Sequence, residues 1–386
     1  MFSLTESARI AKGLITRRNP VYVQFYVTAR CNLTCQQCNI IYANSDLPEC
    51  SLDDIQRIAD NFAKLGVAIV LLTGGEPFAR KDLPEIIKAF RDRDIHVRMQ
   101  TNGLAREEEI HRAIEFGGND ISISLDSLDS GQQDAINGGF DKSWHSALRA
   151  VSLFTKYLPR EDSFASFGCV MQRNNLEHIP DVIRFGTEIG WYTSLVPIHT
   201  TNQHQARGFR TFDQNLAFIP SEFDAVAKLL KQVHTMRENG YLLYDSDQYL
   251  DDIYRFVSGE ATTWRSKNNQ VCDSPSLYFA LLPNGEFAPC CDHRLPVPIY
   301  AQSKSFPQHY RNRSFKRSVV DIAKSCEGCM YGSYPEISIS SRFMAARIQR
   351  AKQFFVKKPS KNWPFSYDDL TQIGKRIREE NPLPYA

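Results

Sequence analysis

Between residues 20 and 200 the sequence alternates two kinds of apolar pattern, and this alternation narrows the possible folds more than any other feature. Short runs rich in β-branched residues begin at Val21 (VYVQFYVTA), Val67 (VAIVLLTG), Ile95 (IHVRMQT), Asp120 (DISISLD), Phe164 (FASFGCVMQ) and Thr193 (TSLVPI). Each has the length of a buried strand. Between them apolar residues recur at three and four positions, as in LDDIQRIADNFAKLG and LEHIPDVIRFGTEIG, which marks helices with one buried face. Ser51 stands where the first of these helices needs an N-cap, and Gly66 follows its last turn. Six βα units in succession predict an α/β fold: a parallel sheet curled into a partial (β/α)6 barrel, with the helices outside. Residues at the C-terminal ends of such strands face the active-site mouth.

The flanking segments read differently. Residues 1–19 form an expected N-terminal helical extension with Arg17 and Arg18 at its end. The polar stretch HTTNQHQARGFR from His199 leads into residues 201–270, which continue into two linker helices. From Val271 onward apolar residues flank PNG, a turn signal, so residues 271–335 are expected to be a small domain built on a β-hairpin. Residues 336–386 read as a peripheral tail. With 46 basic and 44 acidic residues the formal charge is +2, which gives no electrostatic case for nucleic acid. No apolar run reaches the roughly 18 residues of a transmembrane helix, and the start lacks a signal-peptide core. The expected location is the cytoplasm, where ten cysteines are metal ligands more often than disulfides.

Cys31, Cys35 and Cys38 follow the first strand with the spacing C-x3-C-x2-C. A closed zinc site wants four protein ligands. Three thiolates on a four-iron cube leave one iron open, which suits chemistry better than scaffolding. The second strand ends in GGEP: Gly74 and Gly75 allow close backbone approach, and Glu76 offers a carboxylate to an ammonium group. Four more cysteines, Cys272, Cys290, Cys326 and Cys329, sit at the feet of the hairpin and in a C-x2-C loop. A zinc ribbon converges its ligands this way, and so does an iron–sulfur domain. Cys291 adjoins Cys290 and competes with it as a ligand; Cys50 and Cys169 read as structural.

Together these stretches resemble the radical S-adenosylmethionine (radical SAM) enzymes over about residues 20–200. The resemblance implies a 4Fe–4S cluster on Cys31, Cys35 and Cys38 whose open iron chelates SAM, with Gly74, Gly75, Glu76 and Pro77 holding the SAM ammonium. TNG at Thr101–Gly103 and ISLD at Ile123–Asp126 are similar to the family's third and fourth strand ends. They make Ser124 a candidate ribose contact, and Asn175 lies in the turn after the fifth strand. Leu195 or Pro197 on the sixth is expected beside the adenine. One departure is Gln37, where the family usually carries an aromatic residue. The C-x12-G-x4-C hairpin with Gly285, followed by C-x2-C, resembles the shortened SPASM form called twitch, which implies a second, auxiliary 4Fe–4S cluster on Cys272, Cys290, Cys326 and Cys329.

Four cysteines on an auxiliary cube leave no iron for substrate, so its expected role is electron transfer. The net reaction is then an oxidation of a C–H position, and the chain reads as a radical SAM oxidoreductase. The expected partners are a small-molecule substrate and an electron donor such as flavodoxin or ferredoxin. A tetrapyrrole, oxidised at a methyl group as on a bacteriochlorophyllide, is the leading substrate. The alternatives are a peptide or protein maturase and a sugar or aminocyclitol alcohol dehydrogenase. Aromatic residues in YLLYDSDQYLDDIYRF and the histidines His199 and His204 are further candidates for ligand contact, and loop or core residues otherwise.

Overall fold

The computed structural model describes residues 2–38, 44–199, 214–265, 271–324, 326, 328–355 and 361–380. The six apolar runs are six parallel strands: β1 (Tyr22–Thr28), β2 (Ile69–Gly74), β3 (His96–Thr101), β4 (Asp120–Ser124), β5 (Phe164–Met171) and β6 (Tyr192–Pro197). Helix α1 (Leu4–Thr16) precedes them. Helices α2 (Leu52–Leu65), α3 (Leu83–Arg91), α4 (Glu107–Glu115), α5 (Ser130–Ile136), α6 (Ser143–Tyr157) and α7 (Ile179–Glu188) connect them. The sheet runs β6-β5-β4-β3-β2-β1 and is open beyond β6, so the barrel is partial, as expected. Helix α2 shows why the sequence was readable. Ser51 Oγ accepts from Asp54 N while Asp54 accepts from Ser51 N, and Gly66 ends the helix at φ +75. Ile55, Ile58, Phe62 and Leu65 make its buried face.

The hairpin does not form a separate layer. Its strands β7 (Tyr278–Leu281) and β8 (Phe287–Ala288) extend the barrel sheet, with β7 parallel to β1 from Tyr22↔Tyr278 to Phe25↔Leu281. Phe279 meets Phe62 edge-on at 5.7 Å, and Phe62 stacks on Phe90 at 6.0 Å, so hairpin and barrel share one core. The linker helices α8 (Phe223–Glu238) and α9 (Asp247–Ser258) pack on the outside of β5 and β6 in a second core. Helices α10 (Phe306–Arg311), α11 (Arg313–Lys324), α12 (Ser333–Arg342), α13 (Met344–Phe355) and α14 (Tyr367–Glu380) follow. The last segment is not peripheral: Trp363 is 2% exposed and donates from Nε1 to Ile189 O at 2.8 Å, and Leu370 and Ile377 complete the barrel's outer core. Among the described residues no helix is long and apolar enough to cross a membrane.

A buried ionic chain closes the end of the barrel opposite the strand C-termini. Glu6 from α1 meets His96 at 3.5 Å, His96 meets Asp120 at 3.0 Å, and Asp120 meets Arg98 at 3.3 Å. Burial opposes every one of these charges. In Glu6 the hydrogen bond and charge of His96 outweigh it and hold the carboxyl at about 2. In His96 burial is likewise outweighed, by Asp120 and Glu6, and the imidazole pKa rises.

Two outcomes follow from this packing. Removing Trp363 as Trp363→Ala should cost about 3–5 kcal/mol in urea unfolding, the range for truncating a buried tryptophan. Because the folded pKa of His96 is raised, its stabilisation is complete below its unfolded value of 6.5 and fades as pH rises through the folded value. The difference in unfolding free energy between the native chain and His96→Gln should therefore be largest near pH 6 and shrink toward pH 9. A difference that grows with pH would contradict the ionic chain.

Candidate active site

At the C-terminal end of β1 the chain leaves the sheet so close to β2 that side chains are excluded. The register shifts between Tyr26 and Thr28, which sets Gly74 opposite Thr28. A Cβ on Gly74, whose φ is +145, would stand 2.2 Å from Thr28 O; one on Gly75 would stand 2.1 Å from Arg30 O. Gly75 N donates to Thr28 O and Glu76 N to Arg30 O, at 2.9 and 2.8 Å. The two glycines thus admit the backbone that leads into Cys31, rather than a ligand alone.

The loop so anchored carries Cys31, Cys35 and Cys38 into one cavity of about 320 Å³ inside the barrel. Gly74, Gly75, Thr101, Asn102, Ser124 and Gln37 also border it. Burial pushes the Cys31 and Cys35 thiols up, and Cys38, Asp126 and Cys31 add to the effect at Cys35. A nearby cation such as a metal favours the thiolate form of such buried thiols. Leu33 N donates to Cys31 Sγ at 3.4 Å, and Cys35 Sγ donates to Asn137 Oδ1 at 3.4 Å. Such contacts orient ligands.

Glu76 and Pro77 are not among the residues bordering the cavity. The Glu76 carboxylate is 1% exposed and accepts from Phe78 N at 3.0 Å, Thr101 Oγ1 at 2.8 Å and Asn102 N at 2.8 Å. Burial pushes its pKa up to about 7 against the pull of these three donors. Its side chain therefore braces the Thr101–Asn102 turn, and Asn102 in turn donates to Asn32 at 2.7 Å. Leu195 is also displaced from its expected place: it is fully buried in the second core outside the sheet, while Ser194, Val196 and Pro197 border the cavity. Alternation along a strand makes a one-residue slip a change of face. Asn175 is buried and joins two strand ends, donating to Asp126 O and Val170 O at 3.2 and 2.9 Å. Cys50 is buried in the first core; Cys169 is buried in the second and also borders the barrel cavity.

Sequence reading missed the lower cavity wall: Gln24 of β1, Arg98 and Gln100 of β3, Ser122 of β4, Ser166 of β5 and Ser194 of β6. The signal was present, since these are polar residues at alternate positions in otherwise apolar strands.

Cys272, Cys290, Cys326 and Cys329 border a second, separate chamber of about 30 Å³. Burial pushes Cys272 and Cys290 up. Cys291 faces the other way: it borders the barrel cavity, where Tyr26 Oη donates to its sulfur at 2.9 Å. Adjacent cysteines thus face different chambers. His199 borders the barrel cavity and accepts from Met330 N at 2.7 Å, so it ties the end of β6 to the residue after Cys329; His204 lies outside the described residues. All ten cysteines are free of disulfides. Among the described residues no three His, Cys, Asp or Glu side chains gather in the manner of a single-ion site.

Residues 25–186 match the family model described as the Radical SAM superfamily. A probable GTP 3',8-cyclase of Pyrococcus abyssi is 28% identical over 219 residues, 56% of this chain and 70% of that protein. The PqqA peptide cyclase of Bradyrhizobium diazoefficiens is 28% identical over 172 residues, 44% of each chain, so the match spans less than half the length of that relative. In fold the chain is similar to Streptococcus suis SuiB, with a TM-score of 0.59 at 18% identity over 86% of this chain and 76% of that one.

Replacing Glu76 by Gln would turn an amide NH2 toward one of three hydrogen-bond donors. We expect Glu76→Gln to lower stability by about 1–3 kcal/mol, the cost of a buried donor left unpaired. The measurement is thermal or urea unfolding of the metal-free chain. An unchanged midpoint would show that the bracing contacts carry no weight.

Proposed function

We propose that this chain, which belongs to the radical SAM superfamily through residues 25–186, is an oxidoreductase that removes a hydrogen atom from a substrate carbon held in the barrel cavity. The carrying observation is the division of seven cysteines between two chambers, three beside a polar cavity and four around a smaller pocket behind it. When bound, a 4Fe–4S cluster on Cys31, Cys35 and Cys38 would chelate SAM and supply the electron that splits it into methionine and a 5'-deoxyadenosyl radical. Around it the protein positions and excludes. Gly74, Gly75 and the Thr101–Asn102 turn, braced by Glu76 from behind and followed by Pro77, would hold the amino-acid end of SAM, and Ser124 would meet its ribose. Pro197, one of the two residues expected beside the adenine, would take that role together with Val196.

Cys272, Cys290, Cys326 and Cys329 would hold the auxiliary 4Fe–4S cluster of a twitch-type domain. Four thiols around one chamber, from a hairpin and a C-x2-C loop, suit a cube in which each iron takes one thiolate. Its role is the electron exit that makes the reaction a net oxidation. A flavodoxin or ferredoxin would supply the first electron, and a reducing compartment such as the cytoplasm suits thiolate ligands of this kind.

For the substrate we place a peptide side chain or a small polar molecule ahead of the tetrapyrrole. The cavity of about 320 Å³ is walled by serine, glutamine and arginine, and it has to admit SAM as well. Such a polar lining suits a polar side chain better than a largely apolar macrocycle. The likeness to a peptide cyclase points the same way.

The reading is tested by anaerobic reconstitution, which should give about eight irons per chain, and by reduction with SAM, which should release 5'-deoxyadenosine. Absence of SAM cleavage would overturn it. Cys326→Ala with Cys329→Ala should fall to about four irons and keep SAM cleavage while losing oxidised product. Normal product from a folded double variant would remove the electron-exit role.

A further inference from the structure

Partway along β5 the barrel lacks a side chain for no reason internal to the protein. Gly168 borders the cavity and its φ is not positive. A Cβ there would stand 3.4 Å from Ser122 Oγ and 3.8 Å from Gln100 Nε2, both ordinary contacts. Gly74 and Gly75, by contrast, are enforced by backbone clashes. A glycine inside a strand gives up packing and costs backbone entropy. Here the missing side chain leaves space in the cavity.

The groups around that space are polar and available. Among the described residues the Gln100 amide and the Ser122 hydroxyl make no hydrogen bond. Toward the closed end lies Arg98, 8% exposed and held from several sides. Its Nε faces Asp120, Nη1 donates to Tyr244 Oη at 2.7 Å and Nη2 to Ser166 Oγ at 3.2 Å. The Tyr244 and Phe164 rings lie 4.6 and 5.3 Å from the guanidinium carbon. A guanidinium has five N–H donors, so one on each terminal nitrogen remains for a ligand. Arg98 is the one lysine or arginine among the described residues bordering the cavity, and the carboxyl of Asp126 lies at the opposite end, beyond β4.

We propose that Arg98, Gln100, Ser122 and Gly168 form the substrate subsite, and that it takes a carboxylate-bearing chain. The carboxylate pairs with the spare N–H groups of Arg98, the fork geometry that guanidinium offers. Gln100 and Ser122 hydrogen-bond the polar atoms behind it, and the carbon chain lies in the space at Gly168. An acidic side chain of a peptide and a free dicarboxylic acid share this chemistry. The inference deepens the radical SAM reading, which supplies the direction of attack on that carbon chain.

Calorimetry on the full-length, cluster-loaded chain with SAM tests it, using N-acetylglutamate amide, N-acetylglutamine amide, N-acetylleucine amide and glutarate as probes. The glutamate probe should bind at least about tenfold more tightly than the leucine probe, as a charge-assisted pair requires. Glutarate binding as tightly as the glutamate probe would identify a free acid as the source; weaker binding would identify the peptide form. Arg98→Gln should abolish the preference. Gly168→Val and Gln100→Leu should weaken the glutamate probe about tenfold or more without touching the Asp120 contacts, and they carry the test if Arg98→Gln fails to fold. Gly168→Ala should raise the melting temperature by about 1–2 °C while weakening the probe, because the protein itself accommodates the methyl group. No preference for the acid, or a preference that survives the Gly168 and Gln100 variants, overturns the subsite. Acid binding with no 5'-deoxyadenosine on reduction would sink the radical SAM reading and leave the subsite standing; SAM cleavage without acid preference does the reverse.

Discussion

The carbonyl oxygens of Thr28 and Arg30 lie where the side chains of residues 74 and 75 would otherwise begin, and the rest of the site depends on that approach. It lets two backbone hydrogen bonds pin the start of the cysteine loop to the end of β2. The next residue, Glu76, carries the link onward, because its carboxylate gathers Thr101 and Asn102 from the end of β3. Asn102 then reaches back to Asn32 in the cysteine loop. Three strand ends are closed into a ring of hydrogen bonds before any ligand is considered. Function at this mouth is a property of backbone proximity first and of side-chain chemistry second.

How much of this could be read in advance varied with the kind of signal. The barrel strands and helices were legible because burial repeats with the period of each element, and α2 carried both its caps in plain sight. The cysteine sets were legible because spacing alone brings thiols together on a loop or a hairpin. Leu195 was misplaced because β6 carries Thr193 and Ser194 on opposite faces, so the polar residues of this short strand do not say which face looks inward. Glu76 was read as a ligand group because sequence shows a carboxylate but not the three donors around it. The hairpin was read as a separate domain because pairing between β1 and β7 joins residues some 250 positions apart, beyond any local pattern. Trp363 sat in a basic, proline-containing segment that looked external, yet its indole fills a place against α7. The polar row Gln24, Arg98, Gln100 and Ser122 was visible in outline, as polar residues at alternate strand positions.

The two ends of the barrel are built on different physics. The mouth relies on neutral backbone donors and on carboxyls whose pKa is raised by burial, as at Glu76 and Asp126, where both reach about 7. The closed end relies on full charges in series, from Glu6 through His96 and Asp120 to Arg98. An ion chain of this kind resists rearrangement, because moving one member strands the next without a partner. Rigidity is thus concentrated under the cavity, and it fixes the direction in which Arg98 presents its remaining donors.

Cys290 and Cys291 are neighbours in sequence but face different chambers, so the partition between them is one peptide unit thick. Such a wall has no spare layer. Enlarging the barrel cavity at Cys291 or Tyr26 would thin the wall of the chamber behind it, which Tyr334 lines from the other side. Space gained on one side of this wall is therefore cover lost on the other, and a variant library aimed at it would change both chambers at once.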